Sequence, residues 1–268
     1  MMTYQTIDPV ALDLGLVQVR WYGMMYLIGF LSAWYYGTVR TRDDWRHWNK
    51  DQVSDLLFYC ALGVILGGRL GYIFFYDFAH YLNQPLDMLK IWQGGMSFHG
   101  GLLGVITAVW VYGRKINKSL LEITDFIAPF VPIGLFFGRI GNYINSELWG
   151  KVAPEDSPWA MLVYDHNVQA LVPKYPTQLL EALLEGLVLG VILWWYSRQQ
   201  RGVGAVSGLF LLGYGSFRFL VEFWRMPDAQ LGYLAWDWLT MGQILCLPMI
   251  AGGLFLIFFW SKRHATVS

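Results

Sequence analysis

Two polar side chains in the apolar segment GRIGNYINSELWG (138–150) have the types and the spacing needed to hold an anion. Arg139 and Asn142 stand three residues apart, so on a helix they share one face. Inside a bilayer an ionised side chain costs roughly 2.5–3.5 kcal/mol, and a chain seldom carries that cost without a use for the charge. A planar guanidinium binds phosphate through two parallel hydrogen bonds. The segment therefore predicts a binding site for an anionic group.

A second apolar segment carries polar residues at helical spacing. Tyr214, Arg218 and Glu222 recur every fourth residue, and Arg225 follows three residues later on the same face. Arg218 and Glu222 can neutralise each other as an intrahelical pair, which is the alternative to a functional role. Two arginines that face one cavity from different helices would clamp a phosphate. The pattern favours that role for Arg218 together with Arg139, and it leaves both interpretations open for Glu222.

His99 stands in GGMSFHGG (94–101), whose paired glycines permit a tight turn. Ser97 is placed to cap the helix that follows. A histidine in the first helical turn meets the positive end of the helix dipole, which favours the neutral imidazole that acts as a general base. A hydrogen-bonded structural histidine is the alternative, and the sequence leaves both open. Because no second histidine or cysteine lies at metal-ligand spacing, no metal and no other cofactor is predicted.

The composition places these residues in a membrane protein. Hydrophobic residues make up 56% of the 268 positions and charged residues only 14%, whereas a soluble domain carries about 25% charged residues. The formal net charge is zero, so no basic excess points to a nucleic-acid partner. Cys60 and Cys246 lie inside apolar runs and are interpreted as small buried hydrophobes rather than as a disulfide or a catalytic pair.

The apolar segments predict an all-α polytopic membrane fold with about seven transmembrane helices. One membrane-embedded catalytic domain (1–268) is expected, with a small external subdomain at 146–176 between the fourth and fifth spans. Glycines at every fourth residue, such as Gly63, Gly67 and Gly71, predict close packing of helix backbones. The spans are expected near 19–39, 53–76, 98–113, 121–144, 177–197, 204–225 and 239–261.

Basic residues are divided unevenly between the two sets of loops, eleven against four. The positive-inside rule then puts the N-terminus outside and the C-terminus in the cytoplasm. With that orientation, polar residues of several helices fall in the outer half of the bilayer, namely Tyr22, Tyr26, His99, Arg139, Gln178, Glu181, Arg218 and Glu222. Snorkelling to the interface is the alternative explanation for arginines near helix ends, namely Arg69 and Arg225. The eleven basic residues in the loops assigned to the cytoplasm are Arg40, Arg42, Arg46, Lys50, Arg114, Lys115, Lys118, Arg198, Arg201, Lys262 and Arg263. The four in the loops assigned to the outside are Arg20, Lys90, Lys151 and Lys174.

Taken together, these segments resemble the bacterial prolipoprotein diacylglyceryl transferases. The matching pieces follow one another over nearly the whole chain and are highly specific as a set. They are RWYGMMYLIGF (20–30), LGGRLGY (66–72), GGMSFHGG (94–101), DFIAPFVPIG (125–134), GRIGNYINSELWG (138–150), GAVSGLFLLGYGSFRFLVEFWRMPDAQ (204–230) and MGQIL (241–245).

The resemblance implies a multi-pass enzyme of the bacterial inner membrane with an outward-facing site. Such enzymes move the diacylglyceryl group of phosphatidylglycerol onto the lipobox cysteine thiol of a preprolipoprotein signal peptide. A thioether forms and glycerol phosphate is released. The expected partners are therefore phosphatidylglycerol, lipobox-bearing signal peptides and the bilayer itself.

The resemblance also assigns roles to residues by motif. The expected catalytic residues are His99, Tyr214, Arg218 and Glu222. The residues expected to bind phosphatidylglycerol are Tyr22, Arg139, Asn142, Asn145, Glu147 and Gly150.

Three positions depart from the family pattern. Tyr175 stands where the family often has histidine, and Leu180 stands where it often has tyrosine, so neither is given a catalytic role. Ser146 replaces a usual glycine, a mild change that is not expected to alter the chemistry.

A mechanism follows from these assignments. A cysteine thiol with a pKa of about 8.5 is mostly protonated at neutral pH, so a base must take its proton, and His99 is the leading candidate. Arg139 and Arg218 would stabilise the departing phosphate, with Asn142 and Tyr214 as hydrogen-bond donors.

Two other classes of function compete with the enzyme. A transporter or flippase for a phosphate-bearing lipid would use the same arginines without breaking a bond. The concentration of charge on one side of the membrane counts against it. A non-catalytic scaffold would leave the cost of the buried arginines unexplained.

Overall fold

A computed structural model describes residues 2–15, 18–90, 94–165, 168–227 and 232–264. The chain is mostly helical, and long helices occupy each region in which a span is predicted. Asp228–Gln230 of the 204–230 motif, and residues 166–167 of the predicted external subdomain, lie outside the described residues. The helices are α1 (Trp21–Arg40), α2 (Lys50–Phe75), α3 (Phe78–Asn83), α4 (Phe98–Ile116), α5 (Leu120–Ile127), α6 (Val131–Ile144), α7 (Thr177–Glu181), α8 (Leu189–Tyr196), α9 (Ala205–Val221), α10 (Met241–Phe255) and α11 (Ser261–His264).

Two of these helices continue through π-helical turns. The turn Ala182–Val188 joins α7 to α8, and Leu256–Trp260 joins α10 to α11. Short 3-10 turns cover Asp44–Arg46 and Pro85–Leu89.

Several helices are long and apolar enough to cross a membrane. In the described ranges they are Lys50–Phe75, Thr177–Tyr196 and Met241–Trp260, and α5 with α6 forms a fourth candidate that is bent by 51°. Helix α9 is a shorter apolar helix. A polytopic helical membrane protein is thus confirmed, whereas seven spans and their orientation stay predictions.

Two predicted spans differ from the structure at specific residues. The span predicted at 121–144 is interrupted at 128–130, where Pro129 and Pro132 lack the N–H groups that a continuous helix requires. The helix predicted at 204–225 ends at Val221, so Glu222 is its C-cap. Arg225 lies beyond the helix and pairs with Gly150 in an isolated β-bridge.

The chain divides into two compact units, Gly37–Ile123 and the combination of Met1–Tyr36 with Thr124–Ser268. In the unit Gly37–Ile123, α2 packs against α4 along the predicted glycines. A methyl group on Gly63 would lie 2.6 Å from the carbonyl oxygen of Gly104, and one on Gly71 would lie 2.7 Å from the Cα of Gly100. These glycines therefore allow the backbone contact that the spacing predicts.

In the other unit, α6 packs against the helix Thr177–Tyr196, and α9 packs against α10. The N-terminus of α9 is fixed by Asp125, which accepts hydrogen bonds from the backbone N–H of Gly204 at 2.6 Å and of Ser207 at 2.7 Å. A carboxylate at a helix N-terminus satisfies otherwise unpaired donors.

Short strands accompany the helices of this unit. Strands β1 (Met2–Thr3), β4 (Met161–Asp165) and β5 (Ala170–Lys174) form a sheet in the order β1-β4-β5, with β1 parallel and β5 antiparallel to β4. Strands β2 (Val10–Asp13) and β3 (Gln18–Arg20) form an antiparallel pair that leads into α1. The hairpin β4–β5 lies within the segment 146–176. The external position of that segment and the single catalytic domain stay predictions.

Candidate active site

Three arginines from different parts of the chain converge on one buried carboxylate. Glu181, in the first turns of the helix Thr177–Tyr196, has no exposed surface. Arg218 and Arg225 each donate a hydrogen bond from Nη1 to its Oε1, at 2.7 Å and 3.0 Å. Arg139 of α6 forms an ion pair with its Oε2, with Nε at 2.7 Å. We call Glu181 and these three residues the arginine cluster.

A second carboxylate, Glu222, holds two of the same arginines. Its Oε2 lies 2.9 Å from Nη2 of Arg218 and 3.5 Å from Nε of Arg225. Its Oε1 accepts a hydrogen bond from the hydroxyl of Thr240 at 3.0 Å, and Thr240 is the N-cap of α10. The positive end of that helix favours a carboxylate here. The intrahelical pair with Arg218 that the spacing allows does form, but Glu222 has two further partners, Arg225 and Thr240.

The cluster corrects the sequence-based interpretation of Arg225. Snorkelling to the interface is not needed to explain it, because its guanidinium is directed inward to Glu181 and Glu222. The helical face predicted through Arg225 does not extend so far, since α9 ends at Val221. The β-bridge to Gly150 fixes the backbone of Arg225 instead.

Two further side chains border the arginine cluster. Glu185 lies one helical turn after Glu181 and has no exposed surface. Neither of its carboxyl oxygens has a hydrogen-bond partner in the described part of the chain. Tyr214 lies one turn before Arg218, within electrostatic range of Glu185 and Arg139. Its ring stacks on Phe210 at a centroid distance of 5.8 Å.

The motif 138–150 comprises the last turns of α6 and a compact hydrogen-bonded turn that follows it. The side-chain amides of Asn142 and Asn145 donate to the two carboxylate oxygens of Glu147, at 3.3 Å and 3.2 Å. The backbone N–H of Glu147 donates to the carbonyl of Asn142 at 2.9 Å, and the side chain of Gln178 donates to the carbonyl of Glu147. Three of the predicted lipid-binding residues are thus brought together, and Asn142 is buried whereas Glu147 is exposed.

Gly150 lies where three segments of backbone meet. Its N–H donates to the carbonyl of Tyr175 at 2.9 Å. An added methyl group would lie 2.5 Å from the carbonyl oxygen of Trp224 and 2.6 Å from Cγ2 of Thr177. The geometry gives Gly150 a packing role that fixes the segment carrying Arg225.

Tyr22, at the start of α1, lies beside the same motif. Its ring leaves space only for glycine at position 141, since a methyl group there would lie 2.9 Å from its Cδ2. Its hydroxyl is 3.1 Å from that of Tyr26. Tyr22 is also within electrostatic range of Glu147 and Arg139, so these predicted site residues share one region.

His99 belongs to the unit Gly37–Ile123 and is the second residue of α4. Ser97 caps this helix, as predicted, by accepting a hydrogen bond from the N–H of Gly100 at 3.2 Å. The imidazole is exposed. The approach of His99 to the arginines stays a prediction.

Arg69 has a structural role in the segment before His99, which replaces the snorkelling interpretation. Its side chain is buried, and its guanidinium stands 5.1 Å from the centre of the Tyr81 ring. It fixes the irregular chain between α3 and α4 by donating to five carbonyl groups, those of Asp87 at 2.5 Å, Met88 at 3.0 Å, Lys90 at 3.4 Å, Gly94 at 2.6 Å and Gly95 at 3.2 Å. Beside them, Lys90 donates to the side chain of Asp87, and this contact lowers the pKa of that carboxyl.

The arginine cluster can bind an anion. Three guanidiniums face the two partnered carboxylates Glu181 and Glu222. The group has one net positive charge when these two carboxylates are ionised and the neighbouring Glu185 is protonated. The side chains of Arg139, Arg218 and Arg225 keep 19%, 16% and 15% of their surface exposed, so a ligand can reach them. The terminal nitrogens of Arg139 have no partner among the residues that the structure describes. A phosphodiester, with one negative charge and two acceptor oxygens, matches that charge and those donors.

Glu181 is predicted to lie in the outer polar layer but is given no role in the site, and Glu185 is absent from the predictions. The signal that could have identified them is the spacing of Gln178, Glu181 and Glu185 in an otherwise apolar helix. That spacing, three residues and then four, puts all three polar groups on one face. The structure shows all three with no exposed surface.

Comparison with known proteins gives a consistent result. Residues 9–259 match the family model described as prolipoprotein diacylglyceryl transferase. A protein of Hydrogenovibrio crunogenus is 58% identical over 267 residues, which cover 100% of this chain and 99% of the relative. Relatives from Ectopseudomonas mendocina and Nitratidesulfovibrio vulgaris are 57% and 55% identical, over 98% and 96% of this chain and 98% and 95% of their own lengths. All three are named phosphatidylglycerol–prolipoprotein diacylglyceryl transferase.

Proposed function

The chain belongs to the prolipoprotein diacylglyceryl transferase family, and on that basis we propose that the arginine cluster is where it holds the phosphate of phosphatidylglycerol. The protein is a transferase that moves a diacylglyceryl group from phosphatidylglycerol to a prolipoprotein. The acceptor atom is the thiol sulfur of the lipobox cysteine in the signal peptide.

The observation that carries the assignment of the site is the convergence of three arginines on Glu181. A buried carboxylate with three guanidinium partners keeps the cations in place before the lipid arrives. Preorganised donors of this kind stabilise charge that develops in a transition state, because they need no reorganisation when the reaction occurs.

The reaction is a displacement at the glyceryl carbon that bears the phosphate. The sulfur of the cysteine forms a bond to this carbon while the bond from the carbon to the phosphate oxygen breaks. Glycerol phosphate leaves with the bonding electron pair, and the thiol proton passes to a base, the role assigned to His99. Arg139 and Arg218 stabilise the departing phosphate, and Asn142 and Tyr214 donate further hydrogen bonds. Arg225, Glu181 and Glu222 position the clamp.

The same proposal includes the setting of the enzyme. It crosses the bacterial inner membrane seven times, with the N-terminus outside and the C-terminus in the cytoplasm. The site then opens outward, and the segment 146–176 forms an external subdomain. The division of basic residues between the loops supports this orientation.

The test is a transfer assay with purified protein, phosphatidylglycerol and a lipobox peptide, read by mass spectrometry. We expect the wild type to add a diacylglyceryl mass to the peptide cysteine. Arg139→Ala and Arg218→Ala should each lower the rate by about 100- to 1,000-fold, the usual effect of losing one preorganised donor. Arg198→Ala is the matched control, because Arg198 is an exposed arginine beyond the other end of the helix Thr177–Tyr196.

Wild-type rates in both Arg139→Ala and Arg218→Ala would exclude the clamp. The assay also separates the enzyme from a lipid transporter. A transporter would redistribute intact phosphatidylglycerol between the leaflets of a vesicle and leave the mass of the peptide unchanged.

A further inference from the structure

An apolar groove lies between α6 and the helix Thr177–Tyr196. Its volume is about 430 Å³, within the range of small-molecule sites. Pro132, Ile133 and Phe136 line it from α6, while Gly190, Val191 and Trp194 line it from the facing helix. Since almost all of the lining is apolar, the groove suits an apolar occupant.

The two helices that form the groove also carry part of the arginine cluster. The two helices run antiparallel. Glu181, near the start of its helix, contacts Arg139 near the end of α6, and Gly190, further along, lies beside Pro132 at the start of α6. On both helices the charged residues therefore lie at one end and the groove at the other. On this helix the groove begins at Gly186, next to the arginine cluster.

The dimensions fit a lipid chain. From Glu181 to Trp194 the helix advances thirteen residues, or about 20 Å. The groove itself, from Gly186 to Trp194, covers about 12 Å. The hydrocarbon depth of one leaflet is about 15 Å, half of the bilayer core. A chain that starts at a head group in the cluster would therefore run along most of the groove.

We propose that this groove binds one acyl chain of the phosphatidylglycerol whose phosphate is held by the arginine cluster. The inference rests on the proposed function and extends the same site to the lipid tail. A signal-peptide helix that rests one face in the groove is the alternative occupant, and the KM for the peptide in the test below distinguishes it from an acyl chain.

The test compares long-chain with short-chain phosphatidylglycerol in variants that fill the groove. Gly190→Leu and Val191→Trp each place a larger side chain in it. A methyl group on Gly190 would make only ordinary contact with Pro132, at 3.4 Å, so a larger group extends into the groove. Ile192→Trp is the control, because Ile192 is an exposed residue of the same helix that does not line the groove.

We expect each filled variant to lower kcat/KM for dipalmitoyl phosphatidylglycerol by about 10- to 100-fold, since a misplaced substrate loses its alignment. The dioctanoyl lipid should react at a rate close to that of the wild type, because its chains end near the block. The retained short-chain activity also shows that the variant is folded. The control variant Ile192→Trp should keep the wild-type ratio of the two rates.

Three outcomes would overturn the inference while leaving the proposed function intact. Unchanged chain-length preference would show that the groove holds only bulk lipid. Equal losses with both lipids would show a structural effect. A raised KM for the peptide with either lipid would assign the groove to the signal peptide. A wild-type protein that transfers neither lipid would overturn the proposed function as well.

Discussion

Arg139, Arg218 and Arg225 differ in how they are held, although all three reach Glu181. Arg218 and Arg225 are also bound by Glu222, so each is fixed between two carboxylates. Arg139 uses only Nε, and its terminal nitrogens have no partner among the described residues. We therefore expect Arg139 to make the most direct contact with a phosphate and Arg225 to act mainly by positioning.

The role of His99 is tested by its replacement with glutamine. If His99 takes the thiol proton, His99→Gln should lower kcat/KM by about 100-fold or more, the usual contribution of a general base. The limb of the pH–rate profile that reports the imidazole should also disappear. His47→Asn is the control, because His47 has a positive φ of 52° that asparagine tolerates. A variant with the rate and pH profile of the wild type would make His99 structural.

Sequence alone predicts the cations of the site better than the groups that hold them. Arg139 and Arg218 are conspicuous because ionised side chains are rare in apolar segments. Glu181 carries the same cost, yet its role depends on partners up to 44 residues away in the chain. The sequence does not show which segments meet in space. Arg69 illustrates the same limit, because the carbonyl groups that it binds have no signature in the side chains.

The helix Thr177–Tyr196 is the element that organises the site. Its π-helical turn Ala182–Val188 directly follows Glu181 and contains Glu185. π-helical turns are rare and frequent at functional sites. Glu181, directly before the turn, contacts the arginines, and residues from Gly186 to Trp194 line the groove. One helix therefore contributes to both proposed parts of the lipid site.

Substitutions at Glu181 and Glu185 separate the two buried carboxyl groups on this helix. Glu181→Gln removes the anion that three arginines share, so the misplaced clamp should lower kcat/KM by about 100-fold and raise the KM for phosphatidylglycerol. Glu185→Gln should stay within about threefold of the wild type, since no hydrogen bond is lost. The measurement is steady-state transfer with the lipid concentration varied.

Glu181→Asp provides the control for this comparison, because it keeps the charge and should recover part of the activity. Thermal unfolding of each variant shows whether the protein stays folded. Similar losses in Glu181→Gln and Glu185→Gln would contradict the positioning role, as would a Glu181→Gln enzyme with an unchanged KM.

At the scale of the whole molecule, hydropathy predicts the approximate position of every long helix but not its exact length or shape. The bend of 51° between α5 and α6 follows from prolines that hydropathy counts as ordinary residues of a span. Hydropathy likewise does not predict that α9 ends at Val221, because the residues that follow it are also largely apolar. The close backbone contact that α2 makes with α4, by contrast, occurs at Gly63 and Gly71, whose spacing predicts such packing.

The orientation is tested by cysteine labelling from one side of the membrane. In a background with Cys60→Ala and Cys246→Ala, a single cysteine replaces either Asp156 or Gln199, both of which are exposed. A membrane-impermeant maleimide should label Asp156→Cys in intact spheroplasts, because the segment 146–176 is expected outside. Gln199→Cys should react only after permeabilisation, and the reverse pattern would invert the proposed topology.

The sharing of one carboxylate by three guanidiniums also affects how the four residues can change. Arg218 and Arg225 donate to the same oxygen of Glu181, so the free energy lost with one arginine depends on whether the other is present. Residues in one such network have coupling energies of about 0.5–3 kcal/mol. A substitution that is tolerated in one background can therefore be harmful in another. Selection then acts on the four residues as one group. The free energy lost in a single substitution would not give the contribution of that residue in other backgrounds.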